Sequence, residues 1–97
     1  MGERRYLYEE LAEEVGANYA SIVVAAWSMI LNAESRKLST PKIKSLKTEV
    51  AGMEKAAILV INNHEYLEPG LTPEQRLKRD KERYREAYEK DAADTDL

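Results

Sequence analysis

The hydrophobic positions of this chain concentrate in one stretch, Asn18 to Ala33 (NYASIVVAAWSMILNA), sixteen residues without a charged side chain. The β-branched run Ile22-Val23-Val24 favours a strand, but sixteen residues exceed the usual strand of about 3–10 residues. Ala20, Ala25, Ala26, Met29 and Leu31 are good helix formers, and the stretch reads as a helix. Wound at 3.6 residues per turn, it puts Ile22, Ala26 and Met29 on one side, Val23, Trp27 and Ile30 beside them, and Val24 and Leu31 behind. A helix that is apolar all round is enclosed by others. This one is shorter than the ~20 apolar residues of a membrane span and is interrupted by Asn18, Ser21, Ser28 and Asn32, so no membrane contact is expected.

Flanking patterns predict the other elements. Glu3 to Val15 alternates Leu7, Tyr8, Leu11 and Val15 with outward Glu9, Glu10, Glu13 and Glu14, a helix that should break or bend at Gly16, with Asn18 capping the next. The polar link from Glu34 to Ser39 is short enough to impose an antiparallel neighbour. Thr40-Pro41 is a helix start, followed by Ile43, Leu46, Val50, Met53, Ala57, Val60, His64 and Leu67 at alternating spacings of three and four. That is a heptad seam, flanked first by Lys44, Lys47, Glu49 and Glu54, then widening to an all-apolar Ala56 to Ile61. Glu68-Pro69-Gly70 is a turn. Thr72-Pro73-Glu74-Gln75 combines a capping box with proline at the first helical position, opening a helix to about Lys90. That helix should be mostly solvated, docked by a thin Leu77–Tyr84–Tyr88 edge, and Asp91 to Leu97 should be a disordered acidic tail. The expected fold is all-α, a single domain over 1–90 of three to four helices built on an antiparallel hairpin of 18–33 with 41–67.

Composition adds two constraints. Ninety-seven residues make one small domain whose core alone is marginal. With two apolar helices to cover, the chain is expected to self-associate, most simply as a dimer, through Val24, Trp27, Leu31, Ile58 and Ile61. There is no cysteine and no apolar leader after Met1, so a cytoplasmic location is expected. The aromatics are one Trp and six Tyr, with no Phe, and several tyrosines should sit at the rim of the core or at an interface.

The net charge of −3 hides a local excess: residues 35–48 hold five basic and no acidic side chains. Arg36, Lys37, Lys42, Lys44 and Lys47 surround the helix start at Thr40, whose free N–H groups and dipole favour an anion. KLSTPKIKSLK at 37–47 is similar to the capped helix start in the small helical subunit of Csm-type CRISPR effectors, a resemblance that implies RNA contact. It spans eleven residues of ninety-seven and supports no family assignment.

Other motifs carry less. Leu11 to Ile22 has the spacing of a DNA-binding helix-turn-helix, with Ala12, Gly16 and Ile22 at its fixed points. Residues 17–33 offer no Arg or Lys for readout, so the stretch is read as helix, bend, helix. Glu13-Glu14 resembles the opening of MazG-like nucleotide pyrophosphohydrolases, in which paired acidic motifs hold Mg²⁺. Ala17 departs from the first motif, and the second would fall at Glu54 and Ala57 without its aspartate. His64 is the lone histidine, one turn before Glu68, and reads as a boundary residue. No phosphate loop or activated nucleophile is recognisable. Neither an enzyme nor a cofactor or metal is expected. The leading reading is a small accessory protein that binds another macromolecule, a further protein besides its own copy; the alternative is a nucleic-acid or nucleotide binder using the 36–47 patch.

Overall fold

A computed structural model describes residues 3–63 and 71–95. They form four helices, α1 (Glu3–Glu14), α2 (Ala17–Ser35), α3 (Thr40–Asn63) and α4 (Pro73–Thr95), with no strand among the described residues. The fold is a small all-α bundle on a central α2–α3 hairpin. The turn at Glu68-Pro69-Gly70, the seam ends His64 and Leu67, and the last residues Asp96 and Leu97 lie outside the described residues.

Helix α2 packs against all three others, as its uncharged sequence requires. One buried cluster joins every helix: Leu7 and Leu11 from α1, Tyr19 and Val23 from α2, Ala57 and Ile61 from α3, Leu77 and Tyr84 from α4. Burying a side chain such as Leu11 contributes about 1.5–3 kcal/mol. A second cluster, Ala26, Ile30 and Val50 with Trp27, Leu46 and Met53 around it, closes the α2–α3 hairpin. The seam register holds there, with Ser45 and Gly52 outside it.

The break expected at Gly16 forms, and other local expectations are corrected. The α1–α2 break falls at Gly16, whose φ of 122° is open to glycine and strained for other residues. Asn18 is inside α2, and the start of α2 has no side-chain cap. At α3 the Ile43 N–H donates to the Ser39 carbonyl at 3.0 Å, so Ser39 takes the capping position and Thr40 is the first helical residue. The capping box of α4 forms as expected: Gln75 N–H donates to Thr72 Oγ1 at 3.2 Å and Thr72 N–H to Gln75 Oε1 at 3.0 Å.

Helix α4 departs furthest from the reading. It runs past Lys90 to Thr95, because Asp91 is buried and accepts from the Glu3 N–H at 3.2 Å and from Arg4 Nε at 2.8 Å. With Glu10–Arg83 and Glu14–Arg76 further along, these pairs fix α1 antiparallel to α4. The docked stripe of α4 is not thin: Arg76, Leu77, Asp80, Tyr84, Ala87 and Asp91 are all buried. Helix α2 likewise keeps one narrow exposed strip, Asn18, Ser21, Ala25 and Asn32. In α3, Ala56 and Leu59 face solvent, so Ala56 to Ile61 is not enclosed on all sides.

Candidate functional site

An ionic network lies where α1, α2 and α4 meet. Asp80 and Tyr19 are both 0% exposed. The Tyr19 hydroxyl donates to Asp80 Oδ2 at 2.5 Å, Arg76 Nε donates to the same oxygen at 2.8 Å, and Arg83 Nη1 donates to Oδ1 at 3.0 Å. Arg76 also bonds Glu14, and Arg83 reaches Glu10 at 2.7 Å. Burial, then the bond to Asp80, pushes the Tyr19 pKa up, so the phenol stays protonated. Burial alone would lower Arg76, but Asp80 and Glu14 more than reverse it, and its net shift is upward. A buried carboxylate with three donors is satisfied, and such clusters specify how helices dock more than they add stability. Neither Tyr19 nor Asp80 was expected at a buried site. The signal that could have found them is the heptad-like spacing of 76, 80, 84, 87 and 91, in which ionic residues alternate with apolar ones.

Every residue of the 36–47 patch, Arg36, Lys37, Thr40, Lys42, Lys44 and Lys47, is exposed at the α2–α3 end of the bundle. Arg36 caps α2, its N–H donating to the Asn32 carbonyl at 3.0 Å. Lys37 follows with φ 54°; its N–H donates to the Glu34 carbonyl at 3.1 Å, and the Leu38 N–H donates to the Ala33 carbonyl at 3.3 Å. These are the bonds of a Schellman turn, with lysine where glycine is usual. The three lysines that α3 gives to the patch do not share a face. At about 100° per residue, Lys44 and Lys47 lie about 60° apart, while Lys42 is about 140–160° from both. Pro41 has no N–H, leaving Thr40 and Lys42 to supply the donors of the first turn.

The residues expected at an oligomer interface lie largely inside the protomer. Leu31 and Ile61 are 5% and 4% exposed, and Val24, Trp27 and Ile58 pack against the same core. The reason is α4, whose buried stripe covers more of α2 than its few apolar residues suggested. The apolar surface that remains is elsewhere. Leu59 on α3 is 61% exposed and shares a stripe with Thr48, Gly52, Lys55, Ala56 and Asn62, all exposed. That stripe holds one charge, in a chain that is 34% charged. A Cβ added at Gly52 would meet nothing within 4 Å, so the protomer gives no packing reason for a mid-helix glycine that costs about 0.5–1 kcal/mol relative to alanine.

Helix α2 packs against three helices, and the narrow strip it leaves exposed, Asn18, Ser21, Ala25 and Asn32, holds no Arg or Lys to meet a DNA backbone. Two carboxylates of the acidic resemblance are taken up by cations of α4, Glu14 by Arg76 and Arg83 and Glu54 by Lys81 at 3.5 Å, while Glu13 is exposed. No group of three or more metal-ligating side chains occurs among the described residues, and none of their helices is long and apolar enough to cross a membrane. Comparison of the chain with protein families, curated proteins and solved structures gave no match.

Proposed function

We propose that this is a non-enzymatic helical accessory protein that works by association, and that the outer face of α3 is its contact surface, first for a second copy. The carrying observation is Gly52, an exposed mid-helix glycine with open space where its side chain would be. A glycine there lets a second helix approach to the short interaxial distances of about 8–10 Å. Leu59, seven residues on, supplies the matching knob. Two copies of α3 packed antiparallel would set each Leu59 over the partner's Gly52, the self-complementary arrangement a two-fold interface needs. The expected interface residues Leu31 and Ile61 belong to the protomer core, so the proposal moves the interface from them to the Gly52–Leu59 stripe. Further macromolecules would be recruited by the assembled particle, as a structural or regulatory accessory.

Light scattering across micromolar concentrations tests this. Wild type should give twice the 11.1 kDa chain mass, Leu59→Asp the chain mass with an unchanged helical spectrum. A wild-type mass that stays at one chain throughout would reject the association.

A second reading, an anion or nucleic-acid contact at 36–47, is favoured by one observation. The first turn of α3 has no acidic residue but carries Lys42, and Lys44 follows. Cations there oppose the helix dipole, so they do not serve the helix itself and suit an external anion.

A further inference from the structure

Between α2, α3 and α4 runs a cleft of about 340 Å³, lined by Trp27, Ile30, Glu34, Lys47, Val50, Glu54 and Arg85. It exists because α4 covers α3 only in part. Lys81 on α4 meets Glu54 at 3.5 Å, but further on α4 turns to α2 and α1, with Tyr88 bonded to Asn32 and Asp91 to Arg4. The N-terminal half of α3 packs on α2 through Leu46, Val50 and Met53.

The cleft has a polarity along its length. Antiparallel packing of α2 on α3 pairs Trp27 with Glu54 at one end, Ile30 with Val50 in the middle and Glu34 with Lys47 at the other. At the Trp27 end the charges cancel: Glu54 is bonded to Lys81, whose ammonium also stands 4.7 Å from the centre of the indole ring. At the far end Glu34 is shared with Arg85 at 3.8 Å, and Lys47 has no carboxylate partner among the described residues. That end carries an excess positive charge. The Trp27 indole N–H is buried without an acceptor among the described residues, a donor whose desolvation is uncompensated. The floor is apolar, the free polar groups are donors, and the volume is at the small end of the about 300–1,000 Å³ of ligand sites.

We propose that this cleft binds a small amphipathic monoanion, an aromatic or medium-chain aliphatic carboxylate free in solution. Its apolar body lies on Trp27, Ile30 and Val50, and its carboxylate lies between Lys47 and Arg85. Each element answers one feature of the cleft: the apolar body covers the floor, and the single negative charge meets the single unpaired cation. A cation would face Lys47, Arg85 and Lys81 against two carboxylates, Glu34 and Glu54, that Arg85 and Lys81 already engage. The cleft is on the side of α3 opposite Leu59, so the inference is independent of association through the outer face.

Trp27 is the only tryptophan and reports directly. Octanoate, octylammonium and octanol are titrated against the full chain while indole emission is followed, with excitation beyond the tyrosine absorption. Octanoate should shift the emission saturably with a Kd below about 1 mM, and octylammonium should bind at least about tenfold more weakly. Lys47→Glu, a change at an exposed side chain, should weaken octanoate at least about tenfold while leaving the thermal midpoint in place. Octanol should bind at a strength between the two ions. Equal binding of octanoate and octylammonium, no saturable response to octanoate, or unaltered affinity in Lys47→Glu would overturn the assignment.

Discussion

The Tyr19 hydroxyl donates to Asp80 Oδ2 at 2.5 Å across 61 positions of sequence, with both side chains wholly withdrawn from solvent. This contact joins the central helix to α4, and the two sides of it are unequal. Tyr19→Phe removes one donor from a carboxylate that keeps two arginines, a loss of about 1–3 kcal/mol. Asp80→Ala leaves Arg76 buried without the carboxylate at its Nε and should cost about 3–5 kcal/mol. Urea denaturation of both variants checks the order; equal losses would mean that the arginines do not depend on Asp80.

The pH dependence follows from the same groups. Tyr19 has a folded pKa above the ordinary value, so its contribution is complete below about pH 10 and is lost as pH rises, because the unfolded chain releases a proton that the folded one keeps. Asp91 is held below the ordinary carboxylate range by its bond to Arg4. Its contribution is present above about pH 4 and is lost as pH falls through the folded value. Tyr19→Phe should therefore flatten the alkaline limb of the stability profile and Arg4→Gln the acid limb. Stability profiles of both variants parallel to wild type on those limbs would contradict the assignments.

Lys37 occupies a backbone conformation that costs a non-glycine residue about 1–2 kcal/mol. Replacing it with glycine relieves that strain but adds about 0.4–1 kcal/mol of unfolded-chain freedom, for a net gain of about 0.5–1 kcal/mol. Lys37→Gly should raise the thermal midpoint, while Arg36→Gly, at an ordinary φ of −84°, should lower it. A lower midpoint in Lys37→Gly would show that the lysine side chain itself holds the turn.

The anion reading of the 36–47 patch has its own signature. If Lys44 and Lys47 contact phosphates, affinity for single-stranded RNA or duplex DNA should fall with salt at a log–log slope of about −0.7 to −0.9 per contact. Lys42, on the other side of the helix, should matter less than either. Absence of binding at about 50 mM salt, where phosphate contacts are strongest, leaves the patch as a solvated end of the bundle.

Much of the architecture is written in the apolar pattern. The uncharged run became the central helix, the α3 seam placed Val50 and Ala57 in the core, and Thr72 with Gln75 formed the predicted box. What the pattern hides is burial by ionic side chains. Arg76, Asp80 and Asp91 read as surface residues because charge is normally solvated, yet each is buried beside a partner on another helix: Glu14, Tyr19 and Arg4 respectively. Pairing across 61 or more positions is not visible in local spacing. The same omission made α2 look uncovered and assigned Leu31 and Ile61 to an interface. Gly52 reads in the sequence only as a position outside the seam, and the open space around it is what gives it meaning.

The central claim, that α3 packs on its own copy along the Gly52–Leu59 stripe, is tested most directly by a cysteine placed beside the two-fold axis. The chain has no cysteine of its own, so any disulfide reports the introduced site. In antiparallel packing Ala56 lies next to its counterpart, within reach of the about 4.4–6.8 Å Cα separation a disulfide requires. Two copies of Ser45, also exposed on α3, would stand about 30 Å apart at 1.5 Å per residue. Under mild oxidation at micromolar concentration Ala56→Cys should convert to a covalent dimer and Ser45→Cys should stay monomeric. Equal cross-linking of the two variants, or none in either, would contradict the account.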